Sequence, residues 1–245
     1  MMKSRLLLMF VALFMLAGGN RANAQAYSYD VNHDGQVTIT DAMVVINHIL
    51  GIANVNDPVN IPAEAIDLGL PSKIKWASYN VGATKPEGAG CYYSWGDTEE
   101  RVYYDWNHYV HCDGSSSTCH DLGSDIGGTE YDVAHVRWGG KWRMPSPIEV
   151  KELIDNCTHE WTTLNGVRGQ KFTSNNNGAS IFIPAAGNRY SSSLQDVGTE
   201  GLYWVSKQSP SDNTYAYLLF LDSGDVSYRY GYARFAGFPI RPVTE

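Results

Sequence analysis

Ser146-Pro147-Ile148-Glu149-Val150-Lys151-Glu152-Leu153-Ile154 and, shortly after, Trp161-Thr162-Thr163-Leu164-Asn165-Gly166-Val167 decide the fold class. Ser146 has the side chain of a helix N-cap, Pro147 suits the first helical position, and Glu149 completes a capping box. Val150, Leu153 and Ile154 then form an apolar stripe at helical spacing. Asn165-Gly166 favours a tight hairpin turn, so Trp161–Leu164 and the run Val167–Thr173 should pair as antiparallel strands. One clear helix leads into a hairpin.

Working outward, the same grammar repeats. Asn175-Asn176-Asn177-Gly178 predicts the next turn, before a strand over Ala179–Ile183. Tyr215–Leu221 and Val226–Tyr230 flank a further turn at Ser223-Gly224-Asp225. Residues 65–245 thus read as one α+β domain of mainly short antiparallel strands with one clear helix. Residues 52–64, with two prolines, several asparagines and no periodicity, read as a linker.

Several motifs in this domain occur in a recognisable order. They begin with Ile66-Asp67-Leu68-Gly69-Leu70, Lys75-Trp76-Ala77 and Asn80-Val81-Gly82-Ala83. Tyr93-Ser94-Trp95-Gly96-Asp97-Thr98-Glu99 and Trp138-Gly139-Gly140-Lys141-Trp142-Arg143-Met144-Pro145 continue them. Ile183-Pro184-Ala185-Ala186-Gly187-Asn188-Arg189-Tyr190 and Ile240-Arg241-Pro242-Val243 close the series. Residues 65–245 resemble the Fibrobacter succinogenes major paralogous domain, a secreted bacterial family. The Arg-Met-Pro-Ser helix start and the Arg-Pro-Val ending are also similar to C-type-lectin-like and formylglycine-generating-enzyme-like scaffolds. The resemblance implies a lectin-like domain that displays loops, and says little about a ligand.

Ahead of the linker, Asp30-Val31-Asn32-His33-Asp34-Gly35-Gln36-Val37-Thr38-Ile39-Thr40-Asp41 reads as a calcium loop. Oxygen-bearing side chains fall at the first, third, fifth and twelfth positions, and Gly35 stands where the chain must turn sharply. Gln36 would offer its backbone carbonyl, and Thr38 would reach the ion directly or through water. The expected Ca2+ ligands are therefore Asp30, Asn32, Asp34, Gln36, Thr38 and Asp41. A short apolar helix from Ala42 to Leu50, closed by Gly51, follows. Loop plus exit helix over residues 27–51, with Asp at the twelfth position, resembles one dockerin type I repeat, an EF-hand-like unit. That resemblance implies attachment to a cohesin-like domain. This chain carries a single repeat where dockerins normally carry two, so its apolar helix needs a partner: a cohesin-like domain, a second copy, or its own C-terminal domain.

Residues 1–24 read as a cleavable signal peptide, with basic Lys3 and Arg5, an apolar run from Leu6 to Ala17, and Ala22-Asn23-Ala24 before the cut. The apolar run is too short to span a membrane, and no cysteine near the cut provides a lipobox. The expected destination is outside the cytoplasm: secreted, at the cell surface or periplasmic. The whole chain carries a formal charge of −8. The leader removes Lys3, Arg5 and Arg21 and no acid, so the mature charge is three units more negative. Nucleic acid and anionic membranes, which need basic patches, are poor partners for such a surface.

In an oxidising compartment, four cysteines favour disulfide chemistry. Cys112 and Cys119 flank a flexible polar loop and are expected to bridge. A zinc site drawn from His108, His111, Cys112, Cys119 and His120 is the competing reading. Cys91 and Cys157 could pair or remain thiols.

No nucleophile elbow, zinc-protease helix or phosphate-cradling loop is present. A carboxylate pair for glycoside hydrolysis can converge from anywhere in a fold, so a hydrolase acting on O-glycosyl bonds stays as the alternative. The expectation is a non-catalytic binding or adhesion protein in extracellular polysaccharide handling, with a glycan or surface protein as ligand. Tyr228, Tyr230 and Tyr232 alternate along a strand, which would set all three phenols on one face. With Arg229 and Tyr190 they are the candidate ligand residues, against the alternative of an aromatic ladder packed under a loop. Trp138, Trp142 and Trp204 read as core, and Arg143 and Arg241 as structural.

Overall fold

The computed structural model describes residues 62–245, apart from the side chains of Arg229 and Tyr230. The expected signal peptide, the calcium loop with all six of its ligands, the exit helix and most of the linker lie outside the described residues.

The described part is mostly β with two α-helices. β1 (Ala65–Ile66) and β2 (Lys75–Ala77) pair antiparallel, and the C-terminal β11 (Val243–Thr244) closes on the other side of β2. One α-helix was not expected. It is α1 (Val133–Trp138), capped by Asp132, whose carboxylate accepts from the Ala134 and His135 amides, and ended by Gly139 at φ 66°. Too short to show a helical period, α1 left only its cap as a signal.

The expected helix is α2 (Pro147–Asn156). The Ser146 and Glu149 side chains cap each other's backbone amides, and Val150 and Leu153 are fully buried. Cys157 ends α2 in an extended conformation, so the chain passes directly into β3 (Cys157–Leu164). β3 pairs with β4 (Val167–Ser174) in register Leu164↔Val167 across Asn165-Gly166. Both turn residues have positive φ (48° and 87°), as the tight hairpin requires. β5 (Ser180–Pro184) completes this sheet.

The short hairpin of β6 (Asn188–Tyr190) and β7 (Ser193–Gln195) precedes the third main sheet. There β9 (Tyr215–Leu221) lies between β8 (Gly201–Gln208) and β10 (Val226–Ala233). Leu218 and Phe220 join one buried cluster, and Leu219 and Leu221 join the other. Burial on both faces explains why β9 is an unbroken apolar run rather than an alternating one.

Polar groups hold the layers in register. Arg241, 1 % exposed, donates Nε to Asn80 Oδ1 at 2.7 Å and its two Nη groups to the Ala77, Ser78 and Phe182 carbonyls. Asn80 in turn donates to the Gly88 and Ala89 carbonyls. Arg143 grips Glu149 through two charge-assisted hydrogen bonds of 2.8 and 2.6 Å. Burial opposes ionisation of Glu149, but Arg143 and the Ser146 amide hold its carboxyl below the ordinary range. Both arginines are structural, as their positions in the sequence imply.

Candidate functional site

Cys112 and Cys119 form the expected disulfide, and their backbones bridge as a short antiparallel pair. Ser115 caps the single 3-10 turn Ser116–Thr118 inside the loop. Both sulfurs are therefore consumed, which removes the zinc alternative at this loop. Among the described residues no three His, Cys, Asp or Glu side chains are placed to hold a metal. Cys91 and Cys157 form no disulfide and are buried in different clusters. Burial pushes the Cys157 thiol up to about 11.

The tyrosine row does not lie on one face. In β10, Tyr228 stands opposite Leu219, whereas Tyr232 stands opposite Ala216, with a register shift between Tyr230 and Tyr232. Gly231, at φ 107°, takes up the extra residue. Paired residues share a face, so Tyr228 sits on the side of Leu219 and Tyr232 on the side of Ala216. A bulge reverses the alternation that the sequence pattern assumes. Tyr228 is 40 % exposed, whereas Tyr232 is half-buried with its ring edge-on to Phe238 at 4.9 Å. The side chains of Arg229 and Tyr230 lie outside the described residues.

Tyr190 belongs to a different and larger aromatic grouping. Three segments lie side by side: Tyr104 bridges Ser191, and Arg189 bridges Gly237. Each bridge has reciprocal N–H···O bonds of 2.8–2.9 Å. Gly237 is required for this approach, because a Cβ there would lie 2.4 Å from the Tyr104 ring. Tyr104 is buried and donates its hydroxyl to the Tyr92 carbonyl, which anchors the first segment.

On this base the rings of Trp106 and Tyr190 both meet Phe235 edge-on, at 4.8 and 5.3 Å. Phe235 is buried, Trp106 is half-buried and Tyr190 is 45 % exposed. Tyr103, similarly exposed, stacks on His108 at 5.0 Å, and the His108 ring hydrogen-bonds Asp105 at 2.7 Å. Burial raises the Asp105 carboxyl, but the His108 ring and amide hydrogen bonds, the His108 charge and the Asn107 amide together outweigh it and hold it below the ordinary range. Burial raises the Tyr232 phenol, and the neighbouring Tyr190, Asp196 and Glu200 push it the same way. The Tyr232 ring thus packs on Phe238, which follows the Gly237 that bridges Arg189, the residue before Tyr190.

Tyr103, Trp106 and Phe235 escaped sequence reasoning. The signal available was the density of rings in Tyr103-Tyr104-Asp105-Trp106-Asn107-His108-Tyr109, which has neither strand nor helix period. The core assignments of the tryptophans agree with the structure. Trp204 is fully buried and donates its indole N–H to the Tyr93 carbonyl, and Trp138 packs edge-on against half-buried Trp142.

The buried carboxylates have structural work. Asp97 holds Arg101. Asp132 accepts from four backbone amides, of Gly128, Ala134, His135 and Met144. Burial raises the Asp132 carboxyl against the pull of those amides. No helix among the described residues is long and apolar enough to cross a membrane.

A family model for the dockerin type I domain matches residues 18–69. Its last residues, from Ala65 onward, are in the structure β1 and the start of the following loop, where Ile66 pairs with Trp76. No curated protein and no solved structure matches the chain.

Proposed function

We propose that this chain is an exported, non-catalytic binding subunit that attaches to a polysaccharide-degrading assembly through its N-terminal segment. The dockerin type I match over residues 18–69 carries this reading. Dockerin type I domains bind calcium and dock onto cohesins. Asp30, Asn32, Asp34, Gln36, Thr38 and Asp41 supply the oxygen donors that a hard divalent cation needs at the spacing of such a loop. Residues 65–245 are then the displayed cargo, a lectin-like domain of the Fibrobacter succinogenes major paralogous type, with a glycan-facing surface at Tyr190 and Tyr232. An α+β arrangement of short strands between loops is what such a scaffold needs. The buried carboxylates among the described residues have structural partners: Asp97 holds Arg101, Glu149 holds Arg143, Asp132 accepts from backbone amides, and Glu87 meets Lys85 and Asn165.

The direct test is capture of the mature chain on immobilised type I cohesin domains. Retention in calcium and release by a chelator support attachment; no retention on any cohesin in a broad panel overturns it. Reducing-sugar release from plant and host glycans by the same preparation would replace the non-catalytic reading with the hydrolase.

A further inference from the structure

We propose that the face built from Tyr103, Trp106, Tyr190 and Tyr232 is a subsite for an uncharged polysaccharide strand, and that the carboxylates around it turn polyanionic chains away. The proposal rests on the binding-subunit reading and deepens it. Two of the three bridged segments each carry one exposed aromatic ring. Tyr103 and Tyr190 are 46 % and 45 % exposed, from segments joined at the Tyr104–Ser191 bridge. Phe235, buried between Trp106 and Tyr190, fixes those two rings edge-on, so little entropy is left to lose on binding. Pre-ordered tyrosine and tryptophan surfaces are the common anchors of recognition sites.

The surroundings select the ligand class. Ser191, Ser192, Ser193 and Gln195 line the β6–β7 hairpin and are exposed, and short hydroxyl and amide groups exchange hydrogen bonds with sugar hydroxyls. Asp105 follows Tyr104 at one end of the hairpin, and Asp196 and Glu200 lie at its other end, where the Glu200 carbonyl accepts from the Gly187 amide and the Glu200 amide donates to the Asp196 carbonyl. Among the described cations nearby, Arg189 lies over the Tyr92 ring at 5.3 Å and Arg101 is held by Asp97. A uronate or sulfated chain would meet like charge here. A neutral pyranose chain meets flat rings flanked by acceptors.

The experiment is affinity gel electrophoresis of the full mature chain in gels containing neutral xylan, mannan or mixed β-glucan, with polygalacturonate, chitosan and a proline-rich peptide competitor as further arms. Retardation by at least one neutral polymer is expected, weakened about tenfold or more by Tyr190→Ala and by Tyr103→Ala. Tyr228→Ala and Tyr215→Ala, exposed elsewhere, should leave it unchanged. Melting curves guard against misfolding; if Tyr190→Ala lowers the transition, Tyr103→Ala decides. Neutral retardation that ignores both substitutions, stronger retardation by polygalacturonate or chitosan, or full competition by the peptide each overturns the proposal. The binding-subunit reading survives those outcomes. Absence of retardation in every gel overturns the proposal, and that reading falls with it only if cohesin capture also fails.

Discussion

Replacing Arg241 with Met should destabilise the folded domain by about 4 kcal/mol. The side chain is 1 % exposed and donates to four oxygens: Asn80 Oδ1 and the Ala77, Ser78 and Phe182 carbonyls. Met keeps most of the aliphatic volume and leaves those four acceptors without this donor. At roughly 1–3 kcal/mol for each buried polar group stripped of its partner, the loss is about 6 kcal/mol. Some of it is recovered, because no carboxylate compensates this charge and burying an ion is itself costly, by several kcal/mol. Burial pulls the guanidinium down to about 10, which marks that cost and still leaves it charged at neutral pH. A net of about 4 kcal/mol lowers the melting temperature by roughly 8–16 °C for a domain of this size. Calorimetry and guanidinium denaturation of wild type, R241M and R241K measure it. Lys lacks the planar fork that reaches both Asn80 and Phe182, so R241K should fall close to R241M. A loss below about 1 kcal/mol for R241M would refute the clamp that ties β2, β5 and the C-terminal segment together.

Three further outcomes follow from the same structure and sequence. C112S/C119S should cost about 2.5 kcal/mol, the loop-closure entropy of a bridge with sequence separation 7, read as a lower denaturation midpoint; an unchanged midpoint contradicts it. Alkali should destabilise the fold: burial pushes Tyr92 up to about 12 and also raises Tyr93, Tyr104, Tyr109 and Tyr203, so their contribution is complete below pH 10 and is lost as pH rises through the folded values. Arg241 acts in the opposite sense over that range, but five phenols outweigh one guanidinium; a denaturation midpoint equal at about pH 9 and pH 11 contradicts the sign. Titration calorimetry should find one calcium ion per mature chain, lost in Asp30→Ala and in Asp34→Ala, and wild-type heats from both variants would remove the proposed loop ligands.

What could be read from the sequence was governed by the range of the interaction that fixes it. The α2 cap, the Asn165-Gly166 turn and the Cys112–Cys119 bridge are local: each is set within ten residues, and each is found where the sequence places it. β10 also starts where expected, yet its tyrosines are misread, because one bulge at Gly231 reverses every later side chain. The aromatic face was out of reach for a different reason. Tyr103, Tyr190 and Phe235 come from three distant segments, and only the bridges at Tyr104–Ser191 and Arg189–Gly237 bring them together. α1 was hidden by its length, although Asp132 carried a cap signal that a search for isolated caps would have found.

One measurement joins both halves of the account: a bridging assay on an immobilised type I cohesin that captures the mature chain. Neutral polysaccharide is passed over that surface by surface plasmon resonance, in calcium and then in chelator. The account predicts a second, additive signal from the polysaccharide in calcium, with loss of both layers on chelation and loss of the second layer alone in Tyr190→Ala. A cohesin surface that captures the chain and retains none of the neutral polymers, or a polysaccharide signal independent of the captured chain, would contradict it.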